Sequence, residues 1–498
     1  VLAAEPPPAR EEVLLRVFTT NDFHGAVEPR VQSWSQGRPV GGAAALKGWT
    51  DSSAAACGCP VLRLDGGDQM QGTLQSNLVF GRSVVEAFNA AGLDAAVIGN
   101  HDLDWGQDTL RARMAEARYP WLAANMFDST TGRRPTWVRP YAMLERGGLR
   151  IAAIGYMLPG TKGIVKAEFV QGLAFRSGRA AIQDILDEVH GLRPDLTIIV
   201  AHEGGTCDQG TSCRGAIMAL AASLDSGSVD LIAAGHSHTL MNTVVNGIPI
   251  VQARSSGTAV GVADLIRHPD GRREWKVWVE TLYADGASDP GVAASVARYS
   301  EAIAALANQR VAELRDALPR EGDQYALGNL AADALRVGGR TEVAFLNTTG
   351  IRAPLTAGAV TYEHLFLVHP FGNRVVRATL TGALLREALE HSLGAEGRAG
   401  VNVHVSGMTF RYDLARPPGQ RIQALALADG RPIRDAVRYS VATLDFLAQG
   451  GSGYTMLTRV PWTDAGQTDV DNLVAYLRAL PQPLPVPSEI RIHPVVRP

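Results

Sequence analysis

The 498-residue sequence has no apolar run approaching the length of a bilayer span, which excludes membrane-spanning helices. It also lacks an excess of either charge. Against 50 acidic side chains stand 47 basic ones, a formal net charge of −3. That balance argues against a nucleic-acid polymer or an anionic membrane as the main partner. A small anionic substrate would therefore need local positive charge, from metal ions or a few arginines. Cysteine is scarce, with four residues in two close pairs, Cys57/Cys59 and Cys207/Cys213. No second Cys/His pair stands at a finger-like spacing, so structural zinc is disfavoured. Cys207 and Cys213 bracket a Gly/Asp/Ser/Thr-rich loop, as a small exported disulfide does. Cys57-Gly58-Cys59 is tight for a bridge, and free thiols are the other reading. The expected location is periplasmic, secreted or at the cell surface. No internal repeat is visible.

What is present is a soluble globular composition, 46% apolar and 19% charged, on a chain too long for one ordinary core. Short apolar runs end again and again in polar clusters. Val13–Phe18 runs towards Asn21-Asp22-Phe23-His24-Gly25, and Val61–Leu64 into Asp65-Gly66-Gly67-Asp68. Ala95–Ile98 runs into Gly99-Asn100-His101-Asp102-Leu103-Asp104, Leu196–Val200 into Ala201-His202-Glu203, and Asp230–Ala234 into Gly235-His236-Ser237-His238. Helical patterns lie between them, such as 180–189 with apolar residues at 182, 185, 186 and 189. Strands alternating with helices predict an α/β or layered α/β/β domain. In such sheets, polar residues at the carboxyl ends of strands are where sites form.

Asp22, His24, Asp68, Asn100, His202, His236 and His238 are all hard or borderline metal ligands, with no thiol among them. Such a set suits Mn, Zn, Fe or Co. Seven ligands are too many for one ion and suit two that share a carboxylate such as Asp68. Asp22 and His24 are expected in an extended segment, two apart and so pointing the same way, and His236 and His238 likewise. Each cluster alone also reads as an ordinary turn. Together they place five of the twelve histidines at strand ends, which points to one shared edge.

The order Asp-x-His, Gly-Asp, Gly-Asn-His, His, Gly-His-x-His resembles the calcineurin-like metallophosphoesterases. Further on, Asn347-Thr348-Thr349-Gly350-Ile351-Arg352, Pro370-Phe371-Gly372-Asn373 and the run from Asp445 to Tyr454 are similar to the C-terminal domain of the 5′-nucleotidase family. That family includes UDP-sugar hydrolases and 2′,3′-cyclic-nucleotide phosphodiesterases. The resemblance implies a four-layer α/β/β/α metallophosphoesterase domain at 13–285, after an N-terminal extension at 1–12. A linker helix at 286–322 and an α/β substrate-binding domain at 323–498 follow.

It further implies two divalent cations, Mn, Zn or Co. Asp22, His24 and His238 would hold one and Asn100, His202 and His236 the other, with Asp68 between them. His101 with Asp104 would be the catalytic dyad, and water activated by the cations would attack phosphorus in line. Asn347, Arg352, Phe446 and Gly451 would bind the nucleoside, the Gly450-Gly451 pair allowing close backbone approach. The sequence departs from the family in three places. Ser452 replaces a ribose-binding Asp, Thr348-Thr349 replaces two glycines, and near Val401–Gly407 His404 is the nearest flat ring where a second aromatic is usual. Asp102 stands where relatives often carry Glu, and no direct chemistry is expected of it. The expected activity is phosphate release from 5′-nucleotides by a monomer. A 2′,3′-cyclic-nucleotide phosphodiesterase with 3′-nucleotidase activity is the alternative, followed by a UDP-sugar hydrolase or an inactive nucleotide-binding surface protein.

Overall fold

The computed structural model describes residues 11–208, 212–394 and 400–495. Residues 1–10 of the expected extension and 496–498 of the Pro-rich end lie outside the described residues. The chain is a mixed α/β protein and divides into two compact units, Val1–Lys162 with Glu168–Glu301, and Gly163–Ala167 with Ala302–Pro498. Among the described residues no helix is long and apolar enough to cross a membrane.

The first unit contains two six-stranded sheets. One runs in the order Arg273–Thr281, Ala259–Arg267, Glu12–Thr20, Val61–Asp65, Ala95–Val97, Trp121–Leu122, the last four strands being parallel. The other runs Leu240–Val245, Ile248–Ala253, Leu231–Ala233, Leu196–Ala201, Leu149–Tyr156, Tyr141–Arg146, its four central strands being parallel. The sheets pack against each other closely enough that a Cβ on Gly155 would stand 2.5 Å from Leu122, and one on Gly261 would stand 2.7 Å from Val251. Their outer faces are covered by helices. Helix Ala43–Cys57 sets Trp49 edge-on to Phe18, with ring centroids 6.0 Å apart. Helices Gln183–Gly191 and Ala216–Ser223 bury Ile185, Val189, Ile217 and Leu220 against Ile154, Ile199 and Ile232 of the second sheet. Leu196–Ala201 is buried at every residue, as a strand covered on both faces must be.

Both cysteine pairs are bridged. Cys207 and Cys213 are register partners in the ribbon of Thr206–Asp208 and Ser212–Arg214. The tight Cys57–Cys59 pair closes over the C-terminal end of its helix, where Gly58 takes φ +61°.

The linker helix expected over 286–322 spans only Pro290–Ala307. Val311 and Leu314 are buried in a strand, Arg310–Leu314, paired with Gly358–Thr361 in the second unit. A buried strand and a helix face can share the same few apolar positions, and here the pairing partner decides between them. The second unit holds a five-stranded sheet ordered Val403–Ser406, Val343–Asn347, Arg438–Leu444, Arg374–Thr381, Thr463–Thr468. A three-stranded sheet is ordered Ile422–Leu427, Met408–Tyr412, Ile492–Pro494, its first two strands forming a hairpin across Pro417-Pro418. It also absorbs the Pro-rich end as an added parallel strand.

Candidate metal centre and catalytic dyad

Five strands of the first unit deliver their polar ends to one place. The loops there are stitched to each other through the backbone. Asp22 N–H donates to Gly67 C=O at 2.8 Å, His24 N–H to Asp68 C=O at 2.9 Å, and Gly66 N–H to Thr20 C=O at 2.7 Å. Gly99 is obligatory in this packing, because a Cβ there would lie 2.2 Å from Asp68 N and Oδ1.

The extended geometry expected for Asp22/His24 and His236/His238 does not occur. Asp22, His24, Asp68, His236 and His238 all adopt positive φ, between +50° and +72°. In an L-residue this left-handed conformation costs on the order of 1 kcal/mol or more, and such strain collects at functional sites. It turns each side chain inward at a sharp bend. Phe23, between two of them, points the other way, into the core against Phe88.

The inward-facing atoms form two groups, Asp22/His24/His238 and Asp68/His202/His236, each with ligand atoms within 4.8 Å of one another. In the first, His24 Nε2 is 3.0 Å from His238 Nε2, and His238 Nε2 is 3.2 Å from Asp22 Oδ1. In the second, His202 Nε2 is 3.2 Å from Asp68 Oδ2 and 3.0 Å from Asn100 Oδ1. Asp68 Oδ2 also lies 3.8 Å from His24 Nε2, so this one oxygen faces both groups.

The far sides of these side chains are already occupied by donors or acceptors. His24 Nδ1 bonds the Gln71 carbonyl at 2.9 Å and His202 Nδ1 the Gly66 carbonyl at 2.7 Å. A carbonyl can only accept, so both Nδ1 atoms carry a proton and each Nε2 is the atom turned to the centre. Asp22 Oδ2 accepts from His236 N–H at 2.8 Å and from Asn21 Nδ2 at 2.7 Å, while Oδ1 is buried with no donor. Burial, with His238 beside it, pushes His24 down to about 3, and burial with His202 beside it pushes His236 down to about 4. Both imidazoles are therefore neutral ligands in waiting. Burial also opposes charge on His202, but Asp68 and Asp22 outweigh it and push this imidazole up to about 10. Imidazole nitrogens and buried carboxylate oxygens converging within 4.8 Å in each group are a donor set that fits a divalent cation, which would take the place of the proton on His202 Nε2.

His101 sits on the rim. Its backbone N–H donates to Asp68 Oδ1 at 2.7 Å, and its Nδ1 meets Asp104 Oδ2 at 2.7 Å. The 3₁₀ turn His101–Leu103 brings Asp104 back within reach. The His101 ring centroid is 5.5 Å from that of His24.

Asp102, of which the sequence predicts no chemistry, is central to the architecture. It is fully buried and accepts four backbone N–H groups. Oδ2 takes Gly99 at 2.9 Å and Asp68 at 3.0 Å, and Oδ1 takes Gln69 at 3.0 Å and Met70 at 3.2 Å. Burial, reinforced by Asp68, pushes its carboxyl up to about 8. Asn21 is a second residue that sequence reasoning misses. Its Nδ2 bridges Asp22 Oδ2 and the Arg254 carbonyl at 2.7 Å each. Its only signal in the sequence is its place immediately before a ligand.

In the second unit, Asn347 ends a central strand, donates to Thr349 Oγ1 at 2.6 Å and keeps Oδ1 buried without a donor. The Arg352 guanidinium lies 5.7 Å from the Phe371 ring centroid, so Pro370-Phe371-Gly372-Asn373 backs the arginine as well as making a turn. Phe446 is half-buried against the core and covers Gly451, where a Cβ would fall 2.4 Å from its ring. Gly451 is thus required by Phe446. Ser452 takes φ +51°, and its carbonyl accepts from His391 Nε2 at 2.8 Å. His404 is wholly buried, 4.3 Å from Tyr325 between ring centroids and hard against Gly328, which leaves it no face for a ligand.

Similarity to known proteins extends over both halves of the chain. Residues 302–459 match the family described as 5′-nucleotidase, C-terminal domain. The chain is 27% identical to protein UshA of Escherichia coli K12 over 96% of its own length and 94% of that protein's. It is also 27% identical to endonuclease YhcR of Bacillus subtilis over 97% of its own length, and it spans only 41% of that protein. The crystal structure of a 5′-nucleotidase precursor from Thermus thermophilus superposes with a TM-score of 0.85 at 28% identity, over 97% of this chain and all of that one. Over nearly its whole length the chain is similar to 5′-nucleotidases and UshA, and that similarity marks it as a phosphoric ester hydrolase.

Proposed function

We propose that this protein releases phosphate from nucleotides, 5′-monophosphates first, at a dinuclear centre in its first unit. The observation that carries the reading is Asp68. One of its oxygens faces both ligand groups, and the other holds the backbone of His101. Asp22, His24 and His238 would hold one ion and Asn100, His202 and His236 the other, with Asp68 shared. Divalent cations bound there supply the Lewis acidity for phosphoryl transfer to water. His101, its Nδ1 proton held by Asp104, presents Nε2 to the developing charge on phosphate or to the leaving oxygen.

Asn347, Arg352 and Phe446 of the second unit would recognise the nucleoside, Arg352 by charge and Phe446 by stacking on the base. The two disulfides fit an exported protein. Ser452 favours one alternative, since a weaker ribose contact suits a ribose whose hydroxyls are esterified, as in 2′,3′-cyclic nucleotides. Phosphate release from AMP, UDP-glucose and 2′,3′-cAMP, each with Mn²⁺, Co²⁺ and Zn²⁺, tests the choice. AMP is expected to be the fastest. A cyclic substrate preferred by orders of magnitude would overturn the 5′-monophosphate assignment.

A further inference from the structure

The first unit carries a second concavity that the metal centre does not use. It is a cleft of about 530 Å³ lined by the last turns of helix Gly106–Glu116, the Arg118–Trp121 segment, Trp137 and Arg139. Tyr119 and Pro120 lead into strand Trp121–Leu122, so the cleft opens at the amino end of a sheet whose carboxyl ends carry Asp68 and Asn100. The helix that separates it from His101 has 11 residues, about 16 Å of length.

Its chemistry is specific. Arg111, Arg118 and Arg139 are exposed, and none makes an ion pair among the described residues. Arg111 lies 5.7 Å from the centroid of the half-buried Trp137 ring. On the wall, Trp121 is 2% exposed and its buried Nε1–H has no acceptor. The neighbouring Tyr119 hydroxyl is bonded to Gln69 Oε1 at 2.8 Å, and the Trp121 indole nitrogen is sealed from the cleft, so this part of the wall is apolar. Three guanidiniums without carboxylate partners call for a phosphate-bearing anion, and the half-buried Trp137 indole lining the cleft offers a surface for a flat ring.

We propose that this cleft is a second nucleotide-binding site, separate from the metal centre. The phosphates lie among Arg111, Arg118 and Arg139, and the base stacks on Trp137. A nucleotide held here would let the substrate or its diphosphate and triphosphate relatives tune the enzyme. The site stands on its own residues and does not depend on the proposed catalytic reading.

The test is calorimetric titration of the full chain with adenosine 5′-(α,β-methylene)diphosphate, whose P–C–P bridge resists hydrolysis. Two equivalents are expected to bind. The variant R111Q/W137L is expected to bind one, with kcat on AMP unchanged within twofold at low effector concentration. Inorganic phosphate alone and adenosine alone are each expected to bind the cleft at least tenfold more weakly than the methylene diphosphate. A single equivalent untouched by R111Q/W137L would overturn the site. So would inorganic phosphate binding as tightly as the nucleotide, since Trp137 would then contribute nothing. A single equivalent abolished by the double variant would keep the cleft site and count instead against nucleotide binding at the metal centre. R118Q/R139Q, which leaves both indoles in place, is expected to lose the same equivalent, and its retention would count against the site.

Discussion

The backbone N–H of His101 donates to Oδ1 of Asp68 at 2.7 Å, while Oδ2 of the same carboxylate faces His24 and His202. The residue proposed to meet the phosphoryl group is therefore positioned by the residue proposed to join the two ions. Any cation drawn to Asp68 also fixes where His101 stands.

Replacing His101 with Asn is expected to lower kcat on AMP by roughly 10²- to 10⁴-fold, the usual contribution of a positioned acid–base group. KM should move by less than a few-fold, because the backbone N–H to Asp68 survives. Steady-state kinetics beside a far-ultraviolet circular dichroism spectrum would check both parts. An unchanged rate would remove His101 from the reaction. Asp104→Asn should cost less, since it orients the ring without touching substrate.

Chelation followed by dialysis is expected to abolish phosphate release, and added Mn²⁺ or Co²⁺ to restore it. The same additions should raise the melting temperature, because an ion bound only by the folded chain stabilises it by about 3 kcal/mol at a hundredfold excess over Kd. In Asp22→Asn and His238→Ala the thermal response to metal should shrink, since both side chains belong to one ligand group. A stripped protein with full activity would end the metal-dependent reading.

Asp102→Ala is expected to destabilise the first unit by several kcal/mol, on the order of 1–3 for each buried N–H left without an acceptor. Four such groups depend on this side chain. Urea unfolding measures the loss directly. Asp102→Asn should fall between wild type and the alanine variant, because its amide keeps one acceptor oxygen and turns N–H groups towards donors. Metal affinity should drop along with stability, since Asp68 N–H is one of the four.

His404 supplies a pH dependence in the second unit. Burial pushes it down to about 3, with Arg491 adding to the effect, whereas in the unfolded chain it titrates near 6.5. Below pH 6.5 the unfolded state takes up a proton that the folded state refuses, so stability falls as pH drops from 6.5 towards 3. The loss is roughly 1 kcal/mol per pH unit in that window and absent above it. His404→Leu should remove this component. The difference in urea midpoint between wild type and variant, compared at pH 7.5 and pH 5, is the measurement. Equal differences at the two values would show that His404 is not held neutral.

Phe446→Leu is expected to raise KM for AMP by about 5- to 150-fold, equivalent to roughly 1–3 kcal/mol of lost stacking, with kcat little changed. Gly451 lies beneath this ring, so Gly451→Ala should act through displacement of Phe446 and raise KM as well. KM unchanged in both variants would make Phe446 a packing residue alone.

Much of this protein is local in its sequence. Apolar runs ending in Asp, Asn and His define the parallel strands and mark their carboxyl ends, because a strand buried on both faces must be apolar and its polar residues can only follow it. The α/β class, the candidate ligand residue types and the spacing that brings Asp104 to His101 were legible for that reason. What the tertiary structure decided is non-local. Whether 310–314 continued a helix or formed a strand depended on a partner at 358–361. His404 is a core residue because helix Ala326–Gly339 lies on it, which no feature of its own segment records. The left-handed backbone at five candidate ligand positions is imposed by loops from several strands bonding to one another, against each residue's own preference. Asp102 shows the division most clearly. Its carboxylate was visible in the sequence, but its purpose exists only where Gly99, Asp68, Gln69 and Met70 converge on it.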